Sequence, residues 1–212
     1  MKKRILIAML AVSALAAAET WHIDNLEKIG GHAVTVLGHP KIIAAPGGKA
    51  LEFNGVDDAV FLDVHPLAGA KTWTWEVIFR PASGGAPEQR FFHLQEDGTD
   101  NRMLFEIRVI GSQWCIDSFA KSGDAQHALL DRTKLHPLDR WYHAAAVYDG
   151  HQFRNYVNGV LEGATEIHLE AQKAGQTSIG VRINKVNYFK GDILAARMTP
   201  RALRPEEFLR VP

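Results

Sequence analysis

The sequence predicts an all-β fold, two antiparallel sheets packed as a sandwich in one domain, with a short C-terminal helix. Three observations predict it. Short segments alternate apolar and polar residues at period two, the pattern of a strand with one buried face. Turn-forming pairs of Asn, Asp, Ser and Gly separate these segments at intervals of about 8–12 residues, the spacing of a sandwich or barrel. The chain has 212 residues and shows no linker or internal repeat that would divide it.

The elements follow in order. Residues 1–18 stand apart as a signal peptide: Met1-Lys2-Lys3-Arg4 is a basic n-region, and Ile5 to Leu15 is an apolar stretch too short to span a bilayer. Ala16-Ala17-Ala18 supplies the small residues of a cleavage site. The expected mature domain is therefore 19–212, exported to the periplasm, cell envelope or exterior. No later segment is apolar for long enough to cross a membrane.

Strands are expected around Ala50 to Phe53, Ala59 to Leu62, Thr72 to Phe79, Gln89 to Gln95, Met103 to Ile110, Gln113 to Phe119, Trp141 to Tyr148 and Gln152 to Val157. Asn54-Gly55, Ser83-Gly84-Gly85, Asp97-Gly98, Asp149-Gly150 and Asn158-Gly159 sit between them. Asn158-Gly159 is the strongest hairpin signal, because both central residues of a type I′ turn need positive φ. Thr199 to Arg210 reads as the helix, with Pro205-Glu206-Glu207 as an acidic first turn.

Composition narrows the function classes. Lys and Arg number 24, as do Asp and Glu, so no basic footprint marks a nucleic-acid or anionic-membrane partner. Cys115 is alone and cannot close an internal disulfide; between Trp114 and Ile116 it reads as an inert strand thiol.

Three ordered segments carry a family resemblance. Trp141-Tyr142-His143-Ala144-Ala145-Ala146-Val147-Tyr148-Asp149-Gly150, followed by Tyr156-Val157-Asn158-Gly159, resembles the W-x-H-x-A-x-x-Y-D-G…Y-V-[DN]-G hairpin of laminin G-like domains. Ala50 to Asp58 is similar to the early A-L-x-F-[DN]-G-x-x-D strand and turn. Phe189-Lys190-Gly191-Asp192-Ile193 with Ala202-Leu203 and Glu206-Glu207-Phe208 is similar to the closing F-x-G-x-I…A-L-x-x-E-E segment. The resemblance implies a jelly-roll sandwich of the concanavalin A-like superfamily, whose members include glycan lectins, protein-binding ectodomains, polysaccharide hydrolases and lyases. These motifs build core and turns, with Trp141, Ala145 and Val147 alternating as core residues, so function has to be argued from a site.

Strand alternation nominates one. Met103, Phe105, Ile107 and Val109 form an apolar face and leave Glu106 and Arg108 opposite; Trp114 and Ile116 leave Asp117 with Cys115. Phe92 and Leu94 leave His93 and Gln95, and Val181 and Ile183 leave Arg182 and Asn184. If these strands share a sheet, its concave outer face gathers His93, Gln95, Glu106, Arg108, Asp117, Arg182 and Asn184. Acceptors and fork-shaped donors of that kind suit the hydroxyls and carboxylates of a glycan. The competing reading is a solvated face with scattered ion pairs.

The resemblance also implies calcium in acidic turns, for which Asn54, Asp57, Asp58 and Asp192 offer oxygen ligands; equally, such residues form turns by bonding their own backbone. Catalytic patterns are poorly matched. The E-x-D-x-E strand of jelly-roll glucanases is absent, since Glu166-Ile167-His168-Leu169-Glu170 has His168 at its centre. Leu104 to Arg108, Glu166-Ile167-His168 and Tyr188-Phe189-Lys190 echo the motifs of β-jelly-roll alginate lyases, but the proton-shuttle tyrosine falls on Leu194. The reading is thus a glycan-recognition module. A polysaccharide-cleaving enzyme on the same face, with Glu106 and Asp117 paired in space, and a protein-contact or scaffolding module are the alternatives.

Overall fold

The computed structural model describes residues 17–212, so the expected signal peptide lies outside the described residues except for Ala17 and Ala18. The strands are β1 (Glu19–His22), β2 (Lys28–Ile29), β3 (His32–Ala33), β4 (Thr35–Leu37), β5 (Lys41–Ala45), β6 (Gly48–Asn54), β7 (Ala59–Leu62), β8 (Trp73–Pro81) and β9 (Glu88–Glu96). They continue as β10 (Arg102–Ile110), β11 (Gln113–Ser122), β12 (Ala125–Leu130), β13 (His136–Pro137), β14 (Tyr142–Tyr148), β15 (Gln152–Val157), β16 (Val160–Glu166), β17 (Gly175–Ile179) and β18 (Lys190–Thr199).

Two large antiparallel sheets form the sandwich. The first runs β16-β15-β14-β8-β18-β6-β5, with β1 also on β18; the second runs β12-β11-β10-β9-β17-β7-β4, with β13 also on β11. Asn158 and Gly159 both have positive φ, as a two-residue turn joining Val157 to Val160 requires. The expected C-terminal helix shrinks to one 3-10 turn, Pro205–Glu207. Its remaining residues lie extended because their apolar side chains are drawn onto a sheet rather than onto a helix face.

Between the sheets, inward aromatic side chains interdigitate. Trp75 lies 4.3 Å from Phe105 and Phe79 stacks at 4.4 Å on Phe91, ring centre to ring centre. Each such side chain, fully buried, stabilises the fold by about 1.5–3 kcal/mol.

The central strands of the first sheet, β8, β14 and β18, are buried on both faces, while its edge strands β5 and β16 are largely exposed. Tyr142, Ala144, Ala146 and Tyr148 of β14 enter the main core, whereas Ala145 and Val147 pack outward against Leu203 and Phe208. This reverses the core face expected for Ala145 and Val147, and Trp141 packs with Leu209 and Val211 outside the sandwich. Alternation identifies an inner face only when the other face is wet, and the C-terminal segment keeps this one dry. Glu76 and His143 lie beneath it: the Glu76 carboxylate accepts from His143 Nε2 at 3.0 Å, Arg197 Nε at 2.6 Å and the Leu209 backbone N–H at 2.7 Å. Burial alone would raise the Glu76 pKa, but these donors hold it below its ordinary value.

Candidate functional site

The outer face of the second sheet receives most of the polar residues expected there. β9, β10 and β11 are neighbours, and their register sets Glu106 directly opposite Asp117 on one side and Arg90 on the other. Arg108 Nη2 lies 3.0 Å from Glu106 Oε2 and 2.6 Å from Asp117 Oδ2, so one guanidinium ties both carboxylates together. Arg90 Nη2 bonds Glu88 Oε1 at 2.6 Å, and its Nε lies 3.4 Å from Glu106 Oε1, close enough for attraction but not aligned as a hydrogen bond.

Arg90 is the residue that alternation misses. With Phe92 and Leu94 inward, strict parity would turn Arg90 into the core. A β-bulge at Phe91 breaks the parity: Phe92 pairs with Phe105, yet Arg90 pairs with Glu106, leaving Phe91 as the extra residue. Both phenylalanines then enter the core while Arg90 and His93 share the outer face. A charged residue at a core-parity position beside Phe91-Phe92 was the available signal. Arg102, one residue before the expected strand, also belongs to this face, its guanidinium 4.7 Å from the Phe119 ring.

Arg182 and Asn184 arrive by a different route from the one expected. The chain leaves β17 at Gly180, whose φ is +88°, and residues 180–189 form a loop rather than a strand. That loop folds back on β9. The Ile183 backbone N–H donates to His93 Nδ1 at 3.0 Å, and the Asn187 carbonyl accepts from the Arg90 N–H at 2.8 Å. Arg182 is thereby brought close enough to oppose protonation of His93. Asn184 sits exposed in the loop and makes no hydrogen bond to the other six residues. Gln95 donates to the Thr99 carbonyl and lines, with Glu96, Gln176 and Ile183, an open cleft of about 200 Å³ beside His93.

The electrostatics of this face are unusual for a solvated sheet. His93 is 0 % exposed, and burial, with Arg182, Arg102 and Arg90 nearby, lowers its pKa to about 3. It is therefore neutral at physiological pH. Since Nδ1 accepts, the proton sits on Nε2, which has no partner. Asp117 is 3 % exposed; burial and then the Glu106 charge outweigh the Arg108 contact and raise its pKa to about 6. Its Oδ1 is unpartnered, as are Arg90 Nε and Nη1 and Arg102 Nε. Buried polar atoms are nearly always satisfied, so a cluster of orphans on one face marks a place where partners are missing.

The turn acids are used differently. Asn54 Oδ1 accepts from the N–H groups of Val56, Asp57 and Asp58, and its amide donates to Asp57. Asp58 caps the His39 and Asn54 N–H groups, while Asp192 is held by Arg80 on the first sheet. Asn54, Asp57, Asp58 and Asp192 thus do not form a calcium cage: Asn54 and Asp58 serve backbone amides, Asp57 Oδ1 accepts from the Asn54 side-chain amide, and Asp192 is taken by a guanidinium. Among the described residues no group of three or more His, Cys, Asp or Glu is arranged to hold a metal ion. Cys115 is buried and free, and burial raises its thiol pKa, which leaves it unreactive.

A laminin G model, described as the concanavalin A-like lectin/glucanases superfamily, matches residues 54–208. The chain belongs to this family. None of the curated proteins compared matches the chain significantly. Among solved structures, this laminin G-like chain is similar to domain 4 of AbnA, an extracellular arabinanase from Geobacillus stearothermophilus in complex with arabinotriose. The TM-score is 0.66 at 18 % identity, over 91 % of this chain and 95 % of that one. It is also similar to the binding domain of Paraclostridial Mosquitocidal Protein 1 (TM-score 0.66, 12 % identity, 90 % of this chain and 50 % of that one). The receptor binding domain of botulinum neurotoxin D gives 0.66 at 10 % identity, over 91 % and 51 %. The chain spans about half the length of the two toxin domains. At these identities the likeness shows the shared fold, and the neighbours are binding modules. No helix among the described residues is long and apolar enough to cross a membrane.

Proposed function

We propose that this is an exported glycan-binding module whose ligand lies on the outer face of the second sheet, between the β9–β10 turn and the 180–189 loop. The observation that carries the reading is the concentration of buried, unpartnered polar atoms on that face, at His93, Arg90, Arg102 and Asp117. Sugars offer many hydroxyl donors and acceptors, which match such a surface. The arabinotriose complex of a structural neighbour lends support from the same architecture. Export rests on the residues of the expected signal peptide.

Cleavage on the same face is the second reading. It is favoured by Glu106 and Asp117 standing opposite each other with Asp117 at about 6, a value suited to a general acid. A panel of soluble plant, algal and bacterial polysaccharides, assayed for both binding and product release, separates the two. Retention without reducing-end or unsaturated products supports the module, and product formation lost in Asp117→Asn supports the enzyme. Absence of binding to every glycan refutes both and leaves protein contact.

A further inference from the structure

The orphaned atoms on the second sheet have one chemical bias: nearly all are donors. His93 presents Nε2–H, Arg90 presents Nε and Nη1, and Arg102 presents Nε, each buried and without an acceptor. Arg182, on the loop above, is engaged in none of the ion pairs among the described residues. Arg90 and Arg102 thus share the strand face of His93, Arg182 stands on the loop that folds over it, and all three are near enough to oppose its protonation. Arg90 spends Nη2 on Glu88, and the other acids within reach are shared: Glu106, 3.4 Å from Arg90 Nε, is held by Arg108, and Asp100, 3.8 Å from Arg102 Nη1, by Lys121.

A neutral sugar brings a donor of its own with every hydroxyl it offers, and each of those donors would need an acceptor that this cluster lacks. An anionic oxygen group brings acceptors alone, and guanidinium forks match a carboxylate or sulfate in two-bonded geometry. We infer that the His93, Arg90, Arg102 and Arg182 cluster is a subsite for an anionic sugar, a uronate carboxylate or a sulfate ester, within the glycan site proposed above. This rests on the glycan reading and narrows it to acidic polymers.

The partly exposed Arg182 is the residue to test, because its loop position makes replacement compatible with folding. Oligogalacturonate and its fully methyl-esterified form share a backbone and differ in charge; a sulfated galactan oligomer distinguishes sulfate from carboxylate as the source. Titration calorimetry of the full mature chain is expected to show one acidic oligomer bound at least tenfold more tightly than its neutral counterpart. That margin is about 1.4 kcal/mol. Arg182→Gln should lower the acidic affinity about tenfold and leave the neutral affinity unchanged, and raising salt should weaken only the acidic complex. Arg102→Gln, with folding checked by circular dichroism, should act in the same direction. Equal affinity for the charged and neutral oligomers, or an unaltered acidic affinity in Arg182→Gln, overturns the subsite while the glycan reading stands. Binding of none of the three oligomers also overturns the subsite, and the glycan reading falls with it only if the wider polysaccharide panel is silent too.

Discussion

Replacing Asp117 by Asn tests the electrostatics of the face most directly. The carboxyl is 3 % exposed and titrates near 6 in the fold instead of at the ordinary 3.8. That difference is worth about 3 kcal/mol. Because the folded pKa is raised, the stabilising contribution is fully present below the unfolded value. It is lost as pH rises from about 4 through about 6, where the native state must ionise beside Glu106. An asparagine side chain does not titrate and escapes this loss. Exchanging the neutral carboxyl for an amide carries its own cost, but that cost is the same at every pH and cancels between two measurements, and the attraction of Arg108 for the ionised carboxylate is already contained in the folded pKa. His93, whose lowered pKa makes stability fall with acidification over the same range, is present in both proteins and also cancels. Urea unfolding followed by tryptophan fluorescence at pH 4 and pH 8 gives the stability difference between variant and wild type. Between these pH values it should move by about 2 kcal/mol in favour of the Asp117→Asn variant; the full 3 is not reached because the unfolded carboxyl is already partly ionised at pH 4. A difference constant within about 0.5 kcal/mol would mean that Asp117 titrates normally, and the picture of a desolvated carboxylate pair would be wrong.

Glu76→Ala removes the acceptor shared by His143, Arg197 and the Leu209 N–H at a fully buried position, and should cost about 3–5 kcal/mol in urea unfolding. The same variant should expose Arg201 and Arg210 to trypsin earlier than wild type; a loss under about 1 kcal/mol with unaltered digestion would show that the carboxylate does not pin the C-terminal segment. Gly30→Ala would set a methyl group 2.1 Å from the Trp21 indole nitrogen at a φ of +58°. Left-handed strain and overpacking together predict a loss of about 2–4 kcal/mol, visible as a lower Tm. Asn54→Ala orphans the three N–H groups its side chain serves and should cost about 1–2 kcal/mol. EDTA should leave the Tm of the wild type within about 1 °C; a larger fall, restored by calcium, would place an ion in that turn.

Where one face of a strand is wet, alternation in the sequence is informative. Met103, Phe105, Ile107 and Val109 face the core with Glu106 and Arg108 opposite, and Trp114 and Ile116 likewise put Asp117 outward. The Asn158-Gly159 turn was legible for a related reason, since its backbone conformation admits few residue types. Alternation failed on β14, where the C-terminal segment dries the outer face and both parities are apolar. It failed at Arg90 because a single extra residue, Phe91, shifts every side chain beyond it to the other face. Gly180 turns the chain out of β17, so Arg182 reaches the site on a loop that the apolar spacing of Val181 and Ile183 had suggested was a strand.

Local pattern alone therefore determined the all-β class, the hairpin and the polar character of β9, β10 and β11, because each depends on residues a few positions apart. The site depended on what pattern cannot carry. Strand order set Glu106 against Asp117, and the folded-back loop buried His93 among three arginines. The acidic turns were spent on their own backbone for the same reason: a carboxylate's charge and partners are decided by which distant segments exclude water from it.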